Sequence, residues 1–283
     1  REMLFIFIKI KSNNIMSKFK KYLDKNEFIE QLNTKGWFIA HEFIQDDVFI
    51  DEIKLSLKKC FQSCQSIREK NGVTDNNFGT IHHLIGQDPI FLELLNGLVG
   101  EFNDLFESFF ESKYILNAFG GNFLEKGVHS YASEIHRDVR SYSSDLNLMM
   151  NTLIMFDDFT EENGATYLLP GSHKNSQKPN KENFYEKSER AIAKKGSVVF
   201  WNSNLWHAAG ENTSNKERSS VTPMFTKTFM KPQFDYLSQF DTDNLNENLK
   251  QVLGFYSRTP KNLDEWYQPK ENRFYRSNQE VKI

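Results

Sequence analysis

Apolar residues fall at helical spacing along the first part of the chain and in short, strand-like runs after Lys113. Asp24-Lys25-Asn26 opens a short helix through Leu32, and the stretch from Gly36 to Phe43 (Trp37, Phe38, Ile39, Phe43) reads as a strand. Asp46 and Asp47 start a longer helix, with Ile50, Ile53, Leu57 and Phe61 on one face, ending near Lys70. Residues 71–79 form a polar loop before Ile81-His82-His83-Leu84. Asp88-Pro89 begins a third helix, whose stripe of Leu92, Leu95, Leu98, Phe102, Leu105 and Phe109 is wide enough to be core.

Beyond Lys113 the pattern predicts strands at Tyr114–Phe119, His129–His136, Leu146–Phe156, Ala165–Leu169, Gly196–Trp201, Leu205–Ala209 and Ser219–Phe229. Short strands at this density indicate a sandwich or barrel. After Pro232 the chain turns polar, with a helix over Asn244–Leu253 and a tail carrying Trp266, Tyr267, Phe274 and Tyr275. No repeat or low-complexity linker divides these parts. The expectation is a mainly β fold with flanking helices: one domain over residues 16–283, with its β core at about 113–230. Residues 1–15 read as a non-native or disordered extension ahead of a natural start at Met16, an extra edge strand being the alternative. The apolar run Met3–Ile8 is too short to span a bilayer and lacks a small-residue cleavage site.

Composition changes this picture in three ways. The 26 phenylalanines imply a bulky core. A formal charge of -3 without a basic field argues against nucleic acid and anionic membranes as partners. The only cysteines, Cys60 and Cys64, lie four apart in a helical pattern, which suits two small buried residues of a cytoplasmic protein better than a disulfide scaffold.

The chemistry is concentrated at His136-Arg137-Asp138. In extended chain the imidazole and carboxylate share a face while Arg137 turns away. A further histidine, His207, would complete two imidazoles and one carboxylate, the donor set of a facial metal triad. His-x-Asp alone is a weak signal. The adjacent pair His82-His83 points two ways in regular backbone, so it is read as pocket-lining or surface rather than ligating. His173 reads as a hydrogen-bonded structural residue, and neither His41 nor His129 is given a metal role. The sequon Asn212-Thr213-Ser214 carries no weight in a cytoplasmic chain.

Four marks then occur in fixed order: His136-x-Asp138; Asp157–Gly164 running into Ala165–Lys174; Gly196–Trp201 running on to His207; and Arg218, a strand's length beyond His207. In order and spacing they resemble the phytanoyl-CoA dioxygenase family of Fe(II)/2-oxoglutarate oxygenases. The resemblance implies a double-stranded β-helix, a jelly roll of the cupin type. It implies His136, Asp138 and His207 as iron ligands, 2-oxoglutarate and O2 as co-substrates, and Arg218 as partner of the distal carboxylate. An arginine fork grips a carboxylate bidentately, which lysine cannot do. Related halogenating enzymes carry a small residue where Asp138 stands, so hydroxylation of an aliphatic C–H is favoured.

Some positions depart from the family pattern: Ala209 replaces a small hydroxyl residue, Leu153 stands near a common aromatic, and Ser197 follows Gly196 where Asp is frequent. Thr152, Asn151 and Asn117 are candidates for the missing polar contacts to the co-substrate. The second substrate is expected to be a small metabolite or natural-product intermediate. Pocket walls are expected from residues 73–87, 139–145, 177–190 and the C-terminal tail, and Tyr131, Arg137, Arg140 and Tyr142 are candidate substrate contacts. The absence of a basic cluster argues against a CoA thioester. The competing class is a non-catalytic or Zn-binding cupin-like module.

Overall fold

The computed structural model describes residues 18–21, 24–74, 79–128 and 131–273; the expected extension at 1–15, together with His129, Phe274 and Tyr275, lies outside them. Nine strands are described: β1 (Trp37–Ala40), β2 (Thr80–Ile81), β3 (Tyr114–Leu124), β4 (Met149–Met155), β5 (Tyr167–Leu168), β6 (Glu189–Arg190), β7 (Val198–Asn202), β8 (His207–Ala208) and β9 (Arg218–Lys227). They form a six-stranded antiparallel sheet, in the order β1-β7-β4-β9-β3-β2, and a three-stranded one, β6-β5-β8. The helices are α1 (Lys25–Thr34), α2 (Asp47–Lys70), α3 (Pro89–Phe110), α4 (Lys181–Lys187), α5 (Glu247–Val252) and α6 (Leu263–Trp266). None of the described helices is long and apolar enough to cross a membrane.

The aspartates that mark helix starts in the sequence act as caps. Asp24, Asp46 and Asp88 accept from the backbone N–H of Glu27, Phe49 and Ile90, each at 3.0 Å, and Pro89 occupies the first turn of α3. The helices cover one face of the larger sheet, and alternation along each strand decides what meets them. Val198 and Phe200 of β7, Met150 and Ile154 of β4, and Val221 and Phe225 of β9 join the core shared with α1–α3. Val199, Trp201, Leu153 and Met155 face the opposite way, into the space between the sheets. Phe200 lies at the centre of the helix side, with ring centroids of Phe102, Phe28 and Phe106 at 4.8, 5.2 and 5.9 Å. Phe200→Ala is expected to destabilise the protein by about 3–5 kcal/mol. Thermal unfolding of the variant measures this, and because the ring points away from the space between the sheets, ligand affinity should be unaffected.

One sequence expectation changes. The strand predicted over His129–His136 is instead a single 3-10 turn at Tyr131–Ser133, followed by an isolated bridge from His136 to His207. This segment reaches the smaller sheet at few points: Ala209 N–H donates to Ala132 O at 2.7 Å, and His136 and His207 exchange backbone bonds at 3.0 and 2.9 Å. β1, within the strand expected at residues 36–43, and β2 close the two edges of the larger sheet.

Candidate metal centre and cavity

Bridging of His136 to His207 brings the two imidazoles together across the end of the smaller sheet, with ring centroids 4.3 Å apart. Asp138 is two residues on, its backbone N–H on Ser203 O at 3.2 Å. One donor atom from each of His136, Asp138 and His207 lies within 4.8 Å of the others, the only such group among the described residues. His136 Nε2 is 3.6 Å from Asp138 Oδ1, and His207 Nε2 is 3.3 Å from Oδ2.

Both rings are oriented through their other nitrogen. His136 Nδ1 lies 2.7 Å from Glu134 O, and His207 Nδ1 lies 3.0 Å from Leu205 O. A carbonyl can only accept, so Nδ1 carries the proton in each ring and the Nε2 lone pair faces the carboxylate. The carboxylate is fixed in turn from the larger sheet: Trp201 Nε1 of β7 donates to Asp138 Oδ2 at 3.1 Å, and Asn151 Nδ2 of β4 donates to the same oxygen. With Oδ2 engaged by two donors, Oδ1 is the oxygen left for a metal. Burial pushes His207 down to about 4, with His136 adding to it, which keeps the ring neutral as ligation requires. Burial acts against ionisation of Asp138, but attraction to His207 and His136 when protonated, with the Trp201 hydrogen bond, holds its carboxyl below the usual range. Burial acts on His136 as well, yet the same pairing raises it above the ordinary imidazole value.

The three donors open into a cavity of about 360 Å³. Its floor shows why strand parity matters. Asn151 and Leu153 of β4 line it, as do Arg218, Ser220, Thr222 and Met224 of β9. Arg218 is 3% exposed, lies over the Phe159 ring at 4.2 Å, and donates through Nη1 to Gly164 O. Its Nε is buried without a partner. Burial and the nearby Arg190 push its pKa down to about 9, against the pull of Asp157, so it remains a cation at neutral pH. A buried cation in a cavity wall could receive an anionic oxygen.

The turn that holds Gly164 is architectural. Asn163 side-chain bonds to Thr160 N (2.9 Å) and Asp158 O (2.6 Å) close it. Gly164 sits at φ +81°, where an added Cβ would come 2.4 Å from Gly210 O.

Of the residues singled out in the sequence, His136, Asp138, His207 and Arg218 share this cavity with Tyr131, Arg140, His82 and His83. Thr152 and Asn117 do not. Thr152 has the parity of Met150 and Ile154, is fully buried, and donates to Pro223 O at 2.8 Å. Asn117 occupies an irregularity in the pairing of β3 with β9, and its amide donates to Lys231 O at 3.0 Å. Arg137 turns away as expected, lying over Trp206 at 4.1 Å and bonding Asn175 O at 2.8 Å. Tyr142, residues 177–190 and the described part of the tail with Trp266 and Tyr267 do not line the cavity either; Gln233, before that tail, does. His173 packs against Gly36, away from the cavity. Asn212 of the sequon is fully buried, its amide bonded to Leu124 O (2.7 Å) and Lys216 O (2.8 Å). Cys60 is buried and Cys64 half-buried, both as free thiols.

Asn151 and Trp201 are the positioning residues that sequence reasoning did not assign to the carboxylate. Trp201→Phe keeps the ring and removes the N–H, and is expected to weaken Fe(II) or Co(II) binding roughly 10- to 100-fold. Competition with a chromophoric chelator measures it; unchanged affinity would show that Asn151 suffices.

Known proteins resemble this chain in sequence and in fold. An uncharacterized protein of Mycobacterium tuberculosis, Rv1501, is 36% identical over 152 residues, covering 53% of this chain and 56% of that protein. The dioxygenase sphC of Aspergillus fumigatus is 28% identical over 145 residues, covering 46% of this chain and 38% of that one. The chain therefore spans about half the length, or less, of these curated relatives. Its fold is similar to that of SnoN, an epimerase solved with Fe3+, alpha ketoglutarate and nogalamycin RO. The TM-score is 0.57 at 12% identity, covering 74% of this chain and 86% of SnoN. It is also similar to AviO1 from Streptomyces viridochromogenes, at TM-score 0.53 and 19% identity, covering 73% of this chain and 96% of AviO1. These likenesses support a jelly roll, and the sequence profile described as phytanoyl-CoA dioxygenase matches residues 75–220, a span holding all three donors and Arg218. By that match the chain belongs to the phytanoyl-CoA dioxygenase family.

Proposed function

We propose that the chain is an Fe(II)- and 2-oxoglutarate-dependent oxygenase that hydroxylates an aliphatic C–H bond of a small molecule. The observation that carries the reading is the presence, in one cavity, of the converging His136, Asp138 and His207 donors and of the buried Arg218 cation. The donor set suits the ion: two neutral imidazoles and one carboxylate bind Fe(II) and leave positions for other ligands. His136, Asp138 and His207 would hold iron, and Arg218 would receive the far carboxylate of 2-oxoglutarate. The chemistry supplied by iron with 2-oxoglutarate is oxidative decarboxylation of the co-substrate by O2 to succinate and CO2, coupled to oxidation of a substrate C–H bond.

The protein's part is positional. Trp201 and Asn151 set the carboxylate, backbone carbonyls set both rings, and Gly164 O sets the Arg218 fork. Leu153, Ala118 and Met224 give the cavity apolar wall that limits stray water.

Anaerobic addition of Fe(II) and 2-oxoglutarate to metal-free protein tests the cofactor assignment. A weak visible charge-transfer band is the expected result, and Fe(II) binding without a band overturns it in favour of a Zn-type or binding module. Labelled oxygen from O2 in the product separates hydroxylation from epimerisation, the reaction named for SnoN.

A further inference from the structure

The metal centre and Arg218 leave one part of the cavity unexplained: the wall made by His82, His83, Arg140, Asn122 and Gln233. His83 is held there by more bonds than packing requires. Its backbone is left-handed, at φ +55°, which a non-glycine residue seldom adopts without a local reason. Gln87 Nε2 secures the flanking carbonyls, at 3.2 Å from His82 O and 2.9 Å from His83 O. Leu84 N–H donates to Phe119 O at 2.9 Å. The imidazole stacks on Phe234, centroids 4.7 Å apart and planes 12° from parallel.

Its tautomer follows from its partner. His83 Nδ1 lies 3.2 Å from the hydroxyl of the buried Tyr236. Burial pushes the Tyr236 hydroxyl well above the ordinary phenol range, with a backbone hydrogen bond at Phe119 working against it, so the hydroxyl keeps its proton. With that hydroxyl as the donor to Nδ1, the imidazole proton stands on Nε2. Burial holds the ring pKa below the ordinary value, so the ring stays neutral with a single N–H left to offer.

Charge points the same way. Asp138 is the only carboxylate among the described lining residues, and the metal centre uses it. A divalent ion on that carboxylate leaves one positive charge, and a dicarboxylate on Arg218 leaves one negative charge, so the two halves cancel. Arg140 remains: it is exposed to solvent, lines the same cavity, and is the one other charged residue among the described lining residues. We propose that His83 and Arg140 form a second-substrate subsite that takes a carboxylate, so that the molecule oxidised is a small organic acid. A cavity of about 360 Å³ shared with a co-substrate favours a small acid over a bulky conjugate. The inference rests on the oxygenase reading above.

Matched pairs of small carboxylic acids and their methyl esters, aliphatic and aromatic, are titrated anaerobically into the protein with Fe(II) and 2-oxoglutarate. Binding is read as a shift of the charge-transfer band and as heat. Acids are expected to bind roughly 10- to 100-fold more tightly than their esters, the range of a hydrogen bond to a charged group. Arg140→Gln should erase that preference and leave the band intact, Arg140→Lys should restore part of it, and His83→Asn, which tolerates the left-handed backbone, should weaken acid binding. A purely structural role for either residue would not remove discrimination between acid and ester. Esters binding as well as acids, or no acid binding while the band is present, overturns the subsite alone. Absence of the band overturns the oxygenase reading and the subsite with it.

Discussion

Asp138→Asn is expected to leave a folded protein that no longer holds Fe(II). The carboxylate is the sole anion of the donor set, and its Oδ2 is engaged by Trp201 and Asn151. An amide keeps the shape and one carbonyl oxygen to accept from them, so thermal stability should change by no more than about 1–3 kcal/mol, the cost of disturbing a buried polar pair. The lost charge acts on the metal directly. Substitution of an outer partner alone costs about 10–100-fold in metal affinity, so loss of the ligand charge should exceed that range and abolish turnover. Chelator competition and a melting curve on the same sample separate the two effects. Retained Fe(II) affinity would remove Asp138 from the ligand set.

The second large effect is at Arg218. Arg218→Ala removes one half of the proposed buried charge pair, a loss of about 2–5 kcal/mol, or about 30- to 4,000-fold in affinity for 2-oxoglutarate. The change should fall on the KM for 2-oxoglutarate, with kcat at saturating co-substrate much less affected. Arg218→Lys should recover little, because a point charge cannot form the bidentate fork and loses its charge more readily when buried. Steady-state succinate release against 2-oxoglutarate concentration decides it. A drop in kcat with KM unchanged would place Arg218 outside the co-substrate pocket.

How far the sequence could be read depended on whether burial was one-sided. The helices were legible because α2 and α3 begin at capping aspartates and carry apolar stripes. His136, Asp138 and His207 were legible because donor type, spacing and order coincide with a family pattern. Strand facing was not. All seven residues of β4 are buried, so hydrophobicity does not alternate along it, and Thr152 and Asn151 look alike until the helices are seen to take the Thr152 face. Asn117 was misplaced because it sits at a break in strand register. His82 and His83 line the cavity in keeping with the pocket-lining reading, and the backbone at His83 is left-handed. The three-residue turn at Tyr131–Ser133 was read as strand because it precedes the true bridge at His136.

The division of the centre between two sheets has a mechanical consequence. His207 belongs to the smaller sheet, whose strands are each two residues long, and His136 is tied to it by an isolated bridge. The bonds that hold Asp138 come from β7 and β4 of the larger, helix-backed sheet. An ion shared by all three residues would therefore rivet a thin flap to a thick plate. Its binding energy would appear as local protection of the flap, rising with free metal as mass action requires. Amide exchange around residues 167–168 and 207–208 should then slow on metal loading while the centre of α3, already tied into the plate, hardly changes.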